Sequence, residues 1–377
     1  MTRLPVIALA FAAALAAPAA QAAEARREAF GALADGTPIE AVVLTNGHGV
    51  SARIISLGAI LQSLVTPDRD GKAEEITLGY DTAAEYLAKP NYFGASIGRY
   101  ANRIKGGKFA LDGREHVLPA NDGPNHLHGG PAGFDKRVWR ISAVRGGPEA
   151  SVTLTYRSPD GEAGYPGTLD ATVTYSLNEQ NELKIAYGAT TDRPTVVNLT
   201  NHTFFNLAGE RASTDVLDQK LTLHADRYTP VDATLIPTGE LRPVAGGPFD
   251  FRTPTAIGAR IRDGRDPQIR LGRGYDHNFV VDGPVGALRP AARLEDPVSG
   301  RRMDLLVTAP GVQFYSGNFL DGTTVGRGGR IYRQSDGLCL EPQVFPDSPN
   351  QPAIPPARLN PGETYANVMV LRFATVR

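Results

Sequence analysis

Cysteine is nearly absent: Cys339 is the only one in 377 residues. A single thiol excludes an intramolecular disulfide framework and any cysteine-based zinc cluster built within one chain. Long apolar runs are equally scarce. Beyond the N-terminus no stretch reaches the ~20 apolar residues that a membrane-spanning helix needs. Nor is there an excess of either charge. Lys and Arg number 39 and Asp and Glu 40, a formal net charge of −1, which argues against an electrostatic grip on nucleic acid or anionic lipid. Heptads, fixed-period repeats and polar low-complexity linkers are missing, as is the regular strand–helix alternation of α/β proteins.

What is present begins with a leader. Arg3 supplies a positive n-region, residues 4–17 are apolar, and Ala20-Gln21-Ala22 offers a small-x-small cleavage site. Residues 1–22 therefore read as a signal peptide, and residues 23–377 as one secreted, periplasmic domain with no membrane attachment after cleavage.

From about Arg27 onward, short alternating segments are separated by turn clusters, which is the pattern of an all-β protein. The 41 glycines and 29 prolines supply many of those turns. Strands are expected over residues 39–45 and 52–57 around Asn46-Gly47-His48-Gly49, and again over 151–156, 171–177, 183–187 and 196–207. Residues 275–281, 292–295, 302–308, 312–318 and 368–375 continue the series. One short helix is expected over residues 81–87, capped by Asp81 or Thr82, with Pro90 beyond its end. A large antiparallel β-sandwich is the simplest architecture.

Several constellations carry chemistry. In residues 337–352, alternation puts Leu338 and Leu340 on one strand face and Cys339 and Glu341 on the other. Pro342 holds Glu341 in extended geometry. If residues 198–206 are extended, Asn198, Thr200, His202, Phe204 and Asn206 share one face, a row suited to a polyhydroxylated ligand. Asn125-His126-Leu127-His128-Gly129-Gly130 places two histidines on one strand face, without a nearby third ligand to complete a metal site, while the glycine pair permits close backbone approach. Arg99, Asn102 and Arg103 supply directed donors for sugar oxygens. Asp276 with Asn278, and Gln313 with Tyr315, form two further same-face pairs. The asparagines of the triplets Asn198-Leu199-Thr200 and Asn201-His202-Thr203 match glycosylation acceptors, a weak pattern. Gly94-Ala95-Ser96-Ile97-Gly98 matches the nucleophile elbow of serine hydrolases, but that motif needs a strand–turn–helix in an α/β sheet. Ser96 is therefore read as structural.

Taken in order, GRYANRI (98–104), NHLHGG (125–130), SPDGEAGYPG (158–167), NLTNHTFFNLAG (198–209), YDHNF (275–279), GVQFYSGNFLDG (311–322) and LCLEPQ with PDSPNQP (338–352) resemble the aldose 1-epimerases, or galactose mutarotases. The resemblance runs from about residue 28 to the end. It implies the galactose mutarotase-like supersandwich and interconversion of the α and β anomers of a free monosaccharide, with no cofactor and no metal. By motif it implies Glu341 as general base and His202 as general acid. Asn102, Arg103, His128, Asp276 and Gln313 are implied as substrate contacts, with His126 the less favoured histidine of its pair. Mutarotation requires loss of the C1–OH proton while the ring oxygen gains one, so an ionised Glu341 should face His, Arg and amide donors. A glycoside hydrolase using Asp276 and Glu341, a non-catalytic sugar-binding module, and a hexose-phosphate epimerase are the alternatives. No phosphate cradle is evident for the last.

Overall fold

The computed structural model describes residues 22–89 and 91–376. Residues 1–21 of the expected 1–22 leader, Pro90 and Arg377 lie outside them. Three antiparallel sheets organise the chain, and each follows from period-2 alternation along its strands. The largest has nine strands. At its centre Glu182–Thr191 pairs with Tyr365–Thr375, which pairs in turn with Arg301–Val307. Leu169–Asn178 carries Leu169, Ala171, Val173, Tyr175 and Leu177 inward, and these side chains are essentially removed from water. Its turn into Glu182–Thr191 uses Asn181 at φ +58°, a conformation that Asn tolerates better than most residues. A five-stranded sheet runs from Glu24–Ala32 to Ala73–Glu75, and a six-stranded sheet includes Leu338–Gln343, Gly311–Tyr315 and Asp276–Val280. The main core cluster takes side chains from Ala23 to Phe373.

Most expected strands are present with ends shifted by one to four residues. Two expectations fail. Residues 196–207 do not form one strand: they break into Thr195–Val196, Thr200–His202 and Phe204–Phe205, each paired in a different sheet. Their side chains therefore do not share one face. The strand Glu24–Ala32 starts before the expected β region, because its largely exposed edge position gives it no clean apolar alternation.

The expected helix is Ala83–Ala88, with Thr82 and Glu85 closing a reciprocal capping box. A second short helix, Pro267–Gly272, escaped the sequence reading although Asp266 caps it and Pro267 opens it. It ends at Arg273, whose φ is +55°.

Candidate active site

Three neighbouring strands build one wall of a cavity of about 480 Å³. Glu341 lies opposite Gln313, Gln313 opposite Asn278, and Tyr315 opposite Asp276. The alternation read at Glu341 holds. Leu338 and Leu340 enter the main core, whereas Cys339 joins a second cluster and Glu341 lines the cavity.

His202 comes from elsewhere in the chain. Thr200–His202 pairs with Ala95–Ile97, setting His202 opposite Ala95. This brings His202 Nε2 to 3.7 Å from Glu341 Oε1, with both side chains nearly sealed from water. The two residues are 139 positions apart in sequence, yet their reactive atoms lie almost in contact, side by side on the cavity wall.

The surroundings of Glu341 differ from the expected donor cage. Its Oε2 is buried and unpartnered. Burial pushes the carboxyl well above its ordinary value, the Asp276 charge adds to this, and Arg103 opposes it. Burial also pushes His202 down to about 4. Both trends favour the uncharged forms, as expected when charges are withdrawn from water. Burial thus biases the pair toward a protonated carboxyl and a neutral imidazole.

Opposite them stands His128, and its protonation pattern is set by the backbone. The Asn102 N–H donates to His128 Nδ1 at 3.1 Å, with Asn102 at φ +65° and His128 at φ +53°. An occupied Nδ1 lone pair leaves neutral His128 with its proton on Nε2, as a donor. His128, His202 and Glu341 offer possible ligand atoms within 4.8 Å of one another, so the third group absent near the histidine pair in sequence is supplied by the fold. The donor pattern nevertheless disfavours a metal, because His128 has no free lone pair to give.

Arg103 donates from Nε to Asp122 at 2.7 Å and places Nη1 4.0 Å from Asp276 Oδ2. Gln313 does not line the cavity. It donates from Nε2 to Asp276 Oδ1 at 2.7 Å, and Gln343 Nε2 in turn donates to Gln313 Oε1 at 3.1 Å. Asn102, Arg103, His128, His202, Asp276 and Glu341 all line the cavity.

His126 and His128 do not share a face. The strand ends at Leu127, and the positive φ of His128 turns it away. His126 packs in the interior, its Nδ1 2.7 Å from Pro119 O and its Nε2 2.8 Å from Tyr165 OH. The long SPDGEAGYPG loop thus braces the histidine segment through Tyr165. Gly129 explains the glycine pair: at φ +83°, a Cβ there would lie 1.8 Å from Gly98 O.

The row of polar groups over 198–206 also separates. Asn198 Nδ2 donates to Ala101 O and Val344 O, Asn201 Nδ2 to Gly94 O, and Asn206 Nδ2 to Asp336 O. These asparagines tie loops together, and their burial leaves the glycosylation-like triplets inaccessible. Only His202 and Phe204 of the row reach the cavity. Ser96 is sealed against Ala59 O and Tyr187 OH, consistent with a structural role.

Sequence reasoning missed Tyr92, Asp122, Arg273 and Phe319, which also line the cavity. Tyr92 packs on His128 at 4.8 Å and on His202 at 5.7 Å between ring centroids. It adopts φ +57°, which no residue pattern announces for tyrosine. The capping signal Asp266-Pro267 could have located Arg273 through the helix that it ends.

Comparison with known proteins converges on one group. The family model described as aldose 1-epimerase matches residues 40–372. The galactose mutarotase of Mus musculus is 44% identical over 348 residues, 92% of this chain and 98% of the mouse protein. The aldose 1-epimerase of Escherichia coli is 40% identical over 341 residues, 90% and 96% of the respective chains. Among solved structures, galactose 1-epimerase from Lactobacillus acidophilus matches with a TM-score of 0.82 and 31% identity, covering 94% of this chain and 99% of that one.

Proposed function

The chain belongs to the aldose 1-epimerase family, and we propose that its cavity interconverts the α and β anomers of free aldoses through Glu341 and His202. The observation that carries the assignment of these two residues is their 3.7 Å separation, together with the unpartnered Oε2 of Glu341. The C1 hydroxyl and the ring oxygen of a cyclic aldose are attached to the same carbon. A base and an acid that serve both must therefore line one small patch of the cavity, as these two do.

Ring opening balances as follows. The Glu341 carboxylate takes the C1–OH proton while His202, as imidazolium, gives its Nε2 proton to the ring oxygen. The C1–O5 bond breaks, its electron pair leaves on O5, and C1 becomes an aldehyde. Rotation about C1–C2 presents the other carbonyl face, and closure reverses both proton transfers. The enzyme state beside the open sugar is protonated Glu341 with neutral His202. That is the state toward which the dry pocket biases the pair, so burial makes the ionised starting pair the costly form and favours its discharge by proton transfer with the sugar. Each acid–base contribution is typically ~10²–10⁴-fold.

The remaining side chains orient the sugar. His128 donates from Nε2 to a sugar oxygen, Arg103 donates, and Asp276 accepts from hydroxyls. Gln313 acts at one remove by holding Asp276. With Asp276 tied to Gln313 and close to Arg103, a glycosidase would lack a second unengaged carboxylate. A polarimetric scan with freshly dissolved α-galactose, α-glucose, α-xylose and an arabinose anomer tests the activity. Faster decay of rotation with at least one is expected, and no acceleration with any would overturn it.

Residues 23–377 act as a single domain exported to the periplasm after removal of residues 1–22. This reading is supported by the composition of the leader and by Ala23, which is buried and bridges to Gly147 immediately after the cleavage motif. N-terminal sequencing of the protein from the periplasmic fraction should begin near Ala23. A mature chain that keeps residues 1–22 would contradict it.

A further inference from the structure

The edge of His202 that faces away from Glu341 meets a thiol. Cys339 Sγ lies 3.6 Å from His202 Nδ1, and Cys339 is fully buried. Because Cys339 stands two residues before Glu341, one strand face presents both groups to the same imidazole. The strand is fixed on both sides, with Cys339 opposite Phe204 and Tyr315.

We propose that Cys339 is a positioning residue for His202: its sulfur seats the Nδ1 edge, aims Nε2 at the substrate, and offers that edge only a weak acceptor. The proposal rests on the reading of His202 as the general acid. When Nε2 gives up its proton, the ring must keep the other one on Nδ1, so the Nδ1 partner has to accept. A carboxylate there, as in hydrolytic triads, would stabilise the imidazolium and make the ring a better base. Sulfur accepts weakly, so the imidazolium gains little and readily releases its proton. Burial acts in the same direction, while the residue's own carbonyl opposes it by a smaller amount. The thiol itself stays protonated, because burial and the charges of Glu341 and Asp276 push it well above its ordinary value.

The other groups around His202 are consistent with this assignment. Tyr92, His128, Phe204 and Tyr315 face it as rings at 5.1 to 6.5 Å, and Glu341 faces Nε2. Among the described residues, Cys339 is the side chain that supplies a polar atom at Nδ1.

Cys339→Ser tests the idea with little change of volume, since a hydroxyl oxygen is the stronger acceptor. Its kcat should fall while KM for galactose changes little, and the acid limb of its kcat/KM profile should move upward by about one pH unit. Cys339→Ala, which offers no acceptor, should lower kcat without that upward shift. A Cys339→Ser enzyme with wild-type kcat and an unmoved acid limb would overturn the proposal. His202→Gln is measured in parallel. If it stays active, the reading of His202 fails; if it is inactive while both Cys339 variants behave as wild type, only the role of Cys339 fails.

Discussion

His202 Nε2 and Glu341 Oε1 lie 3.7 Å apart, although one belongs to a three-residue strand and the other to a different sheet. At that distance, protonation of one group changes the cost of charging the other. The two titrate as a unit. The pair needs one mobile proton, on His202 before ring opening and on Glu341 after it.

This coupling predicts a bell-shaped kcat/KM profile. At low pH both groups hold protons and no base remains. At high pH both have lost them and no acid remains. The limbs belong to the pair rather than to either residue. Catalysed rates, corrected for the spontaneous reaction at each pH, check this, and a profile rising monotonically with pH would contradict a required acid.

Gln313 is expected to act through Asp276. Gln313→Leu keeps much of the volume but removes the Nε2–H that Asp276 Oδ1 accepts. KM should rise on the order of tenfold, in line with a lost hydrogen bond to a charged group, with a smaller change in kcat. An unchanged KM would mean that Asp276 needs no such support.

His277 should make stability sensitive to acid. It is fully buried, with Nδ1 accepting from the Asp276 N–H at 3.2 Å and Nε2 3.0 Å from Gln268 Oε1. Burial, aided by the Arg242 charge, lowers it from 6.5 to about 3. The unfolded chain therefore binds the extra proton first as pH falls. The contribution is intact above pH ~6.5 and is lost progressively toward pH ~3, amounting to about 2 kcal/mol between pH 7 and 5. Urea unfolding of wild type and His277→Gln should give a stability gap that shrinks by about that much over the same interval. A gap independent of pH would contradict the assignment.

The sequence made part of this arrangement legible. Alternation correctly separated Leu338 and Leu340 from Cys339 and Glu341, because period-2 geometry is local. Thr82, one of the two expected caps, marked the first helix for the same reason. The region 196–207 misled because its short strands pair in three different sheets, and no local pattern records such a choice of partner. The backbone bond from Asn102 to His128 and the tyrosine at φ +57° beside it depend on long-range closure of the cavity. Asp276 was legible as a polar strand residue. That Gln313 holds it, instead of lining the cavity, depends on cross-strand register.

The central claim is that Glu341 removes the C1–OH proton. Glu341→Gln keeps the shape of the side chain and abolishes the base. With folding verified by thermal unfolding and galactose binding by calorimetry, the catalysed decay of rotation of fresh α-galactose should fall by at least ~10²-fold. A variant that folds, binds sugar and retains near-wild-type acceleration would contradict the account.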